Sequence, residues 1–220
     1  MNNHESLKTP LRADAQRNRE RILAAACEIF VEHGPDAPLE EVVERAGVGF
    51  GTLYRRFPDR AALYRAVVIY VLERLHTIAM NAIEAAGPSL EIYLRDALDL
   101  RVGAVVPMLL DRVPMDDPEI MRLRQRDASL VEHMIQQEHE SGTLRRDVGF
   151  ADISLLLIRL SRPLPGPISP DLEKQLAHRH LEIVLAGLRP PEGNPGSTLP
   201  GPRLDLADLR ALSSEETTSA

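Results

Sequence analysis

The chain is predicted to be all-α, with about nine helices in two parts. Three observations carry that prediction. Apolar residues recur at i, i+3, i+4 and i+7 along most of the 220 residues. Glycine and proline breaks bound segments of helical length, and no segment reads convincingly as a strand. Aromatic residues make up only 4% of the chain and tryptophan is missing, so packing rests on Leu, Ile, Val and Ala.

Taken in order, residues 1–13 carry no apolar period and read as a flexible arm. A first helix is expected over 14–33, with Ile22, Ala26, Ile29 and Phe30 on one face and Gly34 ending it. A loop follows, then two short helices over 39–46 and 50–57. Pro58 ends the second, and Asp59 caps a long helix running to about residue 86. After the break at Gly87-Pro88, Ser89 is the expected cap of a helix over 90–103. A short apolar helix is predicted over 105–111. Asp116 or Asp117 then caps a long one over 119–141, stopped by Gly142. Helices over 151–162 and 170–188 flank a proline-stiffened loop. From 189 on, the chain turns Pro/Gly-rich, cannot bury a core and reads as a disordered tail to residue 220, with LDLADLRAL at 204–212 at most a short amphipathic turn.

The segment 38–57, PLEEVVERAGVGFGTLYRRF, is the richest in function. Leu39, Val42, Val43 and Ala46 fall on one helical face. Gly47 can end that helix in the left-handed region, Val48 plugs the corner, and Leu53 and Phe57 pack the next helix inward. Gly51, Thr52, Tyr54, Arg55 and Arg56 are left for other faces. Any all-helical protein can contain such a corner. The interleaving of small, hydroxyl, phenol and guanidinium groups on a short helix points further, to the major groove of double-stranded DNA.

Several separated pieces then fall in the order and spacing of one family. They are RERILAAA at 19–26, Phe30, Gly34, LEEV at 39–42, AGV at 46–48, GTLY at 51–54 and Phe57. In these the chain resembles the TetR family of bacterial repressors over about a quarter of its length. Arg55 and Arg56 stand where that family often has an aromatic residue or histidine, and Arg60 where it often has lysine. These differences bear on which site is read.

The resemblance implies a helix-turn-helix DNA-binding domain over 14–60 and a helical ligand-binding and dimerisation domain over 61–188. It also implies a homodimer on a palindromic operator, released by a small-molecule effector. Arg55 is the expected base reader, since Arg bidentate to guanine is the commonest specific contact. Phe50 and Thr52 suit a thymine methyl, and Gly49 and Gly51 allow close approach. Tyr54, Arg56 and Arg60 suit phosphates, and Arg12 and Arg17 reach toward the duplex from the arm. The dimer face implied for the last two helices is Leu155, Ile158, Leu160, Leu176, Leu181, Val184 and Leu188. The effector pocket implied among the middle helices would be walled by Leu98, Val102, Met108, Leu109, Met121 and Leu130. Arg101 either meets an anionic ligand there or pairs with Asp96, Asp99 or Asp111.

The formal net charge of −7 is unusual for a DNA binder. It is unevenly spread, because residues 1–75 hold 11 basic and 11 acidic side chains and the excess acid lies beyond them. One cysteine, Cys27, excludes an internal disulfide framework and reads as a small core residue. No phosphate-cradling glycine loop, nucleophile elbow or zinc-spaced cluster is present, so an enzyme is not expected, nor a metal or other cofactor. No apolar run of membrane length and no leader are expected, which places the protein in the cytoplasm. A partner-binding scaffold that does not read DNA is the second reading.

Overall fold

The computed structural model describes residues 8–114, 116–191, 198–205, 207 and 208, with side chains from residue 14 on. Among these the chain forms nine helices and no strand. They are α1 (Lys8–His33), α2 (Leu39–Ala46), α3 (Phe50–Arg56), α4 (Arg60–Glu84), α5 (Ser89–Asp99), α6 (Val102–Leu110), α7 (Pro118–Ser141), α8 (Phe150–Ser161) and α9 (Pro170–Leu188). The expectation of an all-α chain with about nine helices is met, and most boundaries fall within two residues of those read from the sequence.

The chain divides into two compact units. Unit 1 takes the chain up to Val71 together with Val105–Asp117, and unit 2 takes Leu72–Ala104 and everything from Pro118 onward. The core of unit 1 is built by Ile22, Leu23, Ile29 and Phe30 of α1, Val42 of α2, Leu53 of α3 and Leu63 and Val67 of α4. Phe30 meets Tyr64 edge-on, with ring centroids 5.5 Å apart. The core of unit 2 draws on Leu90 and Leu94 of α5, Leu123 and Met134 of α7, Ile153 of α8 and Leu181 of α9.

Several expectations change. Helix α1 starts at Lys8 rather than at 14, with Pro10 in its first turn, where its missing N–H costs no hydrogen bond. Residues 1–7 of the expected arm lie outside the described residues. Asp59 does cap α4, its carboxylate accepting the Ala62 N–H at 2.7 Å. Ser89 does not cap α5: it is already helical, Pro88 flanks it, and the free Leu90 N–H is met by Glu138 of α7 at 2.9 Å. Burial of Glu138 raises its carboxyl above the usual range, against that hydrogen bond. Helix α5 ends at Asp99, short of 103, because Arg101 takes φ +53° between α5 and α6.

Helix α4 meets the length and hydropathy of a membrane span, contrary to the expectation that no such run exists. Its buried Leu63, Val67, Val71, Leu75 and Ala82 mark it as a core helix. Cys27 is half-buried rather than buried, one position along from Ala26 on the core face. Part of the expected tail is tied down, with the Leu199 N–H donating to Asp147 at 2.6 Å. Arg203 and Leu204 lie within 4 Å of where a Cβ on Gly149 would stand. Residues 192–197, 206 and 209–220 of that tail lie outside the described residues.

Candidate nucleic-acid interface

The corner between α2 and α3 is set by Gly47 at φ +61°, a conformation that strains any residue with a Cβ. Gly47 N–H returns to Glu44 O and Val48 N–H to Val43 O, both at 3.0 Å. These two bonds close α2 in the double-bonded glycine-terminated form. Arg21 of α1 adds a bond from Nη2 to Gly47 O at 3.4 Å. Below the corner, Leu39, Val42, Val43 and Ala46 of α2, Leu53 of α3 and Phe57 are buried, as their spacing predicts.

What α3 turns outward is specific. Phe50 and Tyr54, one turn apart, stack with ring centroids 6.1 Å apart and planes 19° from parallel. They remain 39% and 49% exposed, a large aromatic surface that no described part of the chain covers. Arg55 and Arg56 are exposed, and among the described residues neither has a hydrogen-bond or ion-pair partner. Thr52 is half-buried. Gly49 has an ordinary φ of −88° and Gly51 is helical. Among the described residues, a Cβ on either would meet nothing within 4 Å. Nothing inside the protein therefore requires glycine at these two positions. A partner surface lying close against the start of α3 would.

The other arginines of unit 1 are largely spent internally. Arg45 pairs with Glu32 at 2.8 Å and Glu28 at 3.0 Å, and these bonds hold its charge still more firmly. Arg65 pairs with Asp117 at 2.6 Å and Arg112 with Asp36 at 2.9 Å. Arg17 pairs with Asp14 one helical turn away, an exposed ion pair that leaves it reachable. The side chain of Arg12 lies outside the described residues.

The chain's residues 22–67 match the family model described as bacterial regulatory proteins, tetR family. A TetR transcriptional regulator from Streptomyces coelicolor, solved by crystallography, is 31% identical with a TM-score of 0.58. The match covers 98% of that chain and 78% of this one. This chain belongs to the TetR family. A second TetR regulator structure, from Mycobacterium vanbaalenii, is 30% identical with a TM-score of 0.59, covering 99% of that chain and 82% of this one. Among curated proteins, the HTH-type transcriptional repressor LfrR of Mycolicibacterium smegmatis is 34% identical over 100 residues. That match takes in 46% of this chain and 48% of LfrR, so the chain spans about half the length of that relative. TetR proteins are DNA-binding transcription regulators, not enzymes, as the missing catalytic motifs led one to expect. The α2–corner–α3 unit lies inside the matched segment.

Within this TetR chain the structure rearranges several expected roles. Arg60 does not point outward. It is partly buried, and its Nη1 donates to Pro35 O at 3.0 Å and Ala37 O at 2.9 Å. Tyr64 OH donates to the same Pro35 carbonyl at 2.6 Å. In the α1–α2 loop the Gly34 and Pro38 carbonyls accept backbone N–H groups, and Arg60 serves the Pro35 and Ala37 carbonyls between them. The sequence signal for this was weak: a guanidinium four residues before a tyrosine on one helix face, with a proline-rich loop to satisfy.

The expected dimer face also divides. Leu181 and Leu188 are buried in unit 2 and have no surface left to offer, because α9 needs one apolar face for its own core. Leu155, Ile158, Leu160, Leu176 and Val184 are partly exposed. Sequence reasoning missed Ile183 and Leu172, which are 62% and 47% exposed. Their spacing with Leu176 along one face of α9 is the signal that was available.

Of the expected pocket wall, Leu98 and Arg101 line one cavity in unit 2. Val102 is buried, Met121 is exposed and Leu130 is half-buried, none of them on that cavity. Met108 and Leu109 belong to unit 1. Arg101, at φ +53°, pairs with Glu173 of α9 at 3.4 Å, not with Asp96, Asp99 or Asp111.

Proposed function

We propose that this TetR protein is a ligand-responsive repressor that binds a palindromic operator as a homodimer, through α3 in the major groove. The observation that carries the reading is the outward face of α3. Stacked Phe50 and Tyr54, unpaired Arg55 and Arg56, and two glycines with open space above them meet on one short helix. Arg55 is the base reader and Phe50 and Thr52 meet a thymine methyl, while Tyr54, Arg56 and Arg17 hold phosphates and fix register. Arg60 is assigned instead to the scaffold that presents α3.

One such helix covers too few base pairs for specificity, so two copies on half-sites about one helical turn apart are required. The exposed Leu172 and Ile183, with Leu176, Val184 and Leu155, supply an apolar face for that pairing. A small molecule then changes DNA affinity only by its preference for one conformer over another. On this reading the protein works in the bacterial cytoplasm, where its operator lies.

In vitro selection from a random DNA pool by the ligand-free protein tests the reading. The expected product is a palindrome with fixed half-site spacing. Recovery of no motif at low salt, where phosphate contacts bind most tightly, would overturn it in favour of a scaffold that does not read DNA.

A further inference from the structure

The last residue of α8, Ser161, is only 6% exposed, and among the described residues its Oγ has no hydrogen-bond partner. A helical serine normally satisfies itself on the carbonyl one turn back. An orphaned buried hydroxyl costs free energy and calls for an explanation. Ser161 lines a cavity of about 260 Å³ in unit 2, where the ends of α5 and α8 meet the start of α9. Three further features meet there.

Arg101 lies on the same cavity and is the one non-glycine residue with positive φ among those described. Such backbone strain persists where surroundings hold a side chain for use. Arg159 and Arg162 also line the cavity, and among the described residues neither has an ion-pair partner. Leu98, Leu160 and Ala177 supply apolar wall between these charges.

The acidic groups on the same cavity are Asp99, Asp171 and Glu173. Asp99 is committed to His178 at 2.7 Å and Lys174 at 3.1 Å. These bonds hold its carboxyl below the usual range despite partial burial. Glu173 shows what Arg101 accepts. One carboxylate oxygen sits 3.4 Å from the guanidinium, and the other accepts the Leu164 N–H at 2.8 Å. The long Arg101 contact leaves room for a better-placed carboxylate. Four permanent cations face three carboxylates around the cavity, before His178 and His180 are counted.

We propose that this cavity binds a small amphiphilic carboxylate, its head group on Arg101 and Ser161 Oγ in place of Glu173 and its chain over Leu98, Leu160 and Ala177. The proposal rests on the ligand-responsive reading for its consequence, though not for binding itself. At about 30 Å³ of liquid volume per water, the space holds on the order of ten non-hydrogen atoms, the size of an eight-carbon acid. Entry of the acid frees Glu173, and with it the Leu164 tether between the α8–α9 loop and α9.

Calorimetric titration of the full chain with octanoate, and with octanamide as its uncharged counterpart, tests the site. Octanoate is expected to saturate at one site per chain, at least tenfold tighter than octanamide. Arg101→Gln should weaken it about tenfold and Ser161→Ala severalfold. Arg159→Gln with Arg162→Gln, two exposed changes that leave packing untouched, should weaken it as well, so the test survives if Arg101→Gln fails to fold. No saturable binding, equal binding of acid and amide, or wild-type affinity in the folded variants would each overturn the proposal. Operator affinity is titrated separately. Octanoate that binds as expected but leaves operator affinity unchanged supports the site and counts against the ligand-responsive reading. Failure to bind any selected DNA counts against the regulator reading alone.

Discussion

Replacing Gly51 by alanine separates folding from DNA reading, because the two should move in opposite directions. Gly51 sits inside α3 with helical backbone, so alanine adopts the conformation without strain. Its new Cβ would meet nothing within 4 Å. Alanine is about 1 kcal/mol better than glycine in a helix interior. In a seven-residue helix packed on one side, about 0.5–1 kcal/mol of that should appear as stability, or roughly 1–4 °C in Tm for a protein of this size. If α3 lies in the major groove, the same methyl enters a tightly packed contact. Forcing a methyl into a closely packed interface costs about 1–3 kcal/mol, which is on the order of fivefold to more than a hundredfold in Kd. Thermal unfolding of the free protein and fluorescence anisotropy on the selected operator measure the two effects. Gly47→Ala is the contrasting control. It should destabilise by about 1–2 kcal/mol from its left-handed backbone, with its Cβ 2.6 Å from Arg21 Nη2 adding to the strain. A Gly51→Ala protein that is more stable and binds operator as well as wild type would refute the reasoning, since the space above α3 would then be occupied by solvent alone.

The other predictions concern single contacts. Arg60→Ala should destabilise the protein by about 1.5–3 kcal/mol, through loss of a charged donor shared by two carbonyls, and leave the salt dependence of DNA binding unchanged. Unchanged denaturant stability with a salt slope flattened by about one unit would restore Arg60 to the phosphates. Arg55→Ala should cost about 1–3 kcal/mol on operator, relax one position and spare random DNA, whereas equal loss on both would remove Arg55 from base reading. Ile183→Glu, on an exposed position of α9, should yield a folded monomer in sedimentation, and an intact dimer would exclude that face. Asp147, held at about 2 first by Arg145 and then by the Leu199 N–H, carries its tie to 198–205 while ionised. Its contribution is complete above the ordinary carboxylate value near 3.8 and lost as pH falls through about 2. Asp147→Asn should therefore speed hydrogen exchange at Leu199 at pH 7, and unchanged exchange would show the tie to be idle.

How much of this was legible in the sequence depends on how far each contact reaches. Local signals held: Gly47 closing α2, Leu53 and Phe57 turning inward, and Asp59 capping α4 are decided within a few residues. Choices of distant partner did not. Ser89 looked like a cap, but the Leu90 N–H is met from α7, 48 residues away. Arg60 looked like a phosphate ligand because its charge was visible and the Pro35 and Ala37 carbonyls that satisfy it were not. Leu181 and Leu188 share an amphipathic helix with Ile183, and periodicity alone cannot say which apolar residues the monomer uses first. Arg101 stood out as a charge in an apolar stretch. That it would take a left-handed backbone and line one cavity with Ser161 depends on how α5, α8 and α9 pack, which no local pattern encodes.

The acidic total of the chain illustrates the same point for electrostatics. A count of charges per segment suggested only that the first 75 residues are neutral. The pairings say which charges matter. Arg45, Arg65 and Arg112 are committed to carboxylates of unit 1 and Arg60 to loop carbonyls. Each fixes one element of the scaffold around α3. Arg55 and Arg56 are unspent and lie on the helix that also exposes its aromatic rings and open glycines. A phosphate or a base edge competes with internal carboxylates for a guanidinium, so only an unpaired arginine offers its full charge-assisted bonding to DNA. Net charge sets long-range attraction, and here that is weak or repulsive. Which few cations the fold leaves without partners sets where the duplex is held. By that criterion unit 1 of a chain of net charge −7 presents on one short helix two arginines that no described carboxylate claims, while Arg45, Arg60, Arg65 and Arg112 are spent within the same unit.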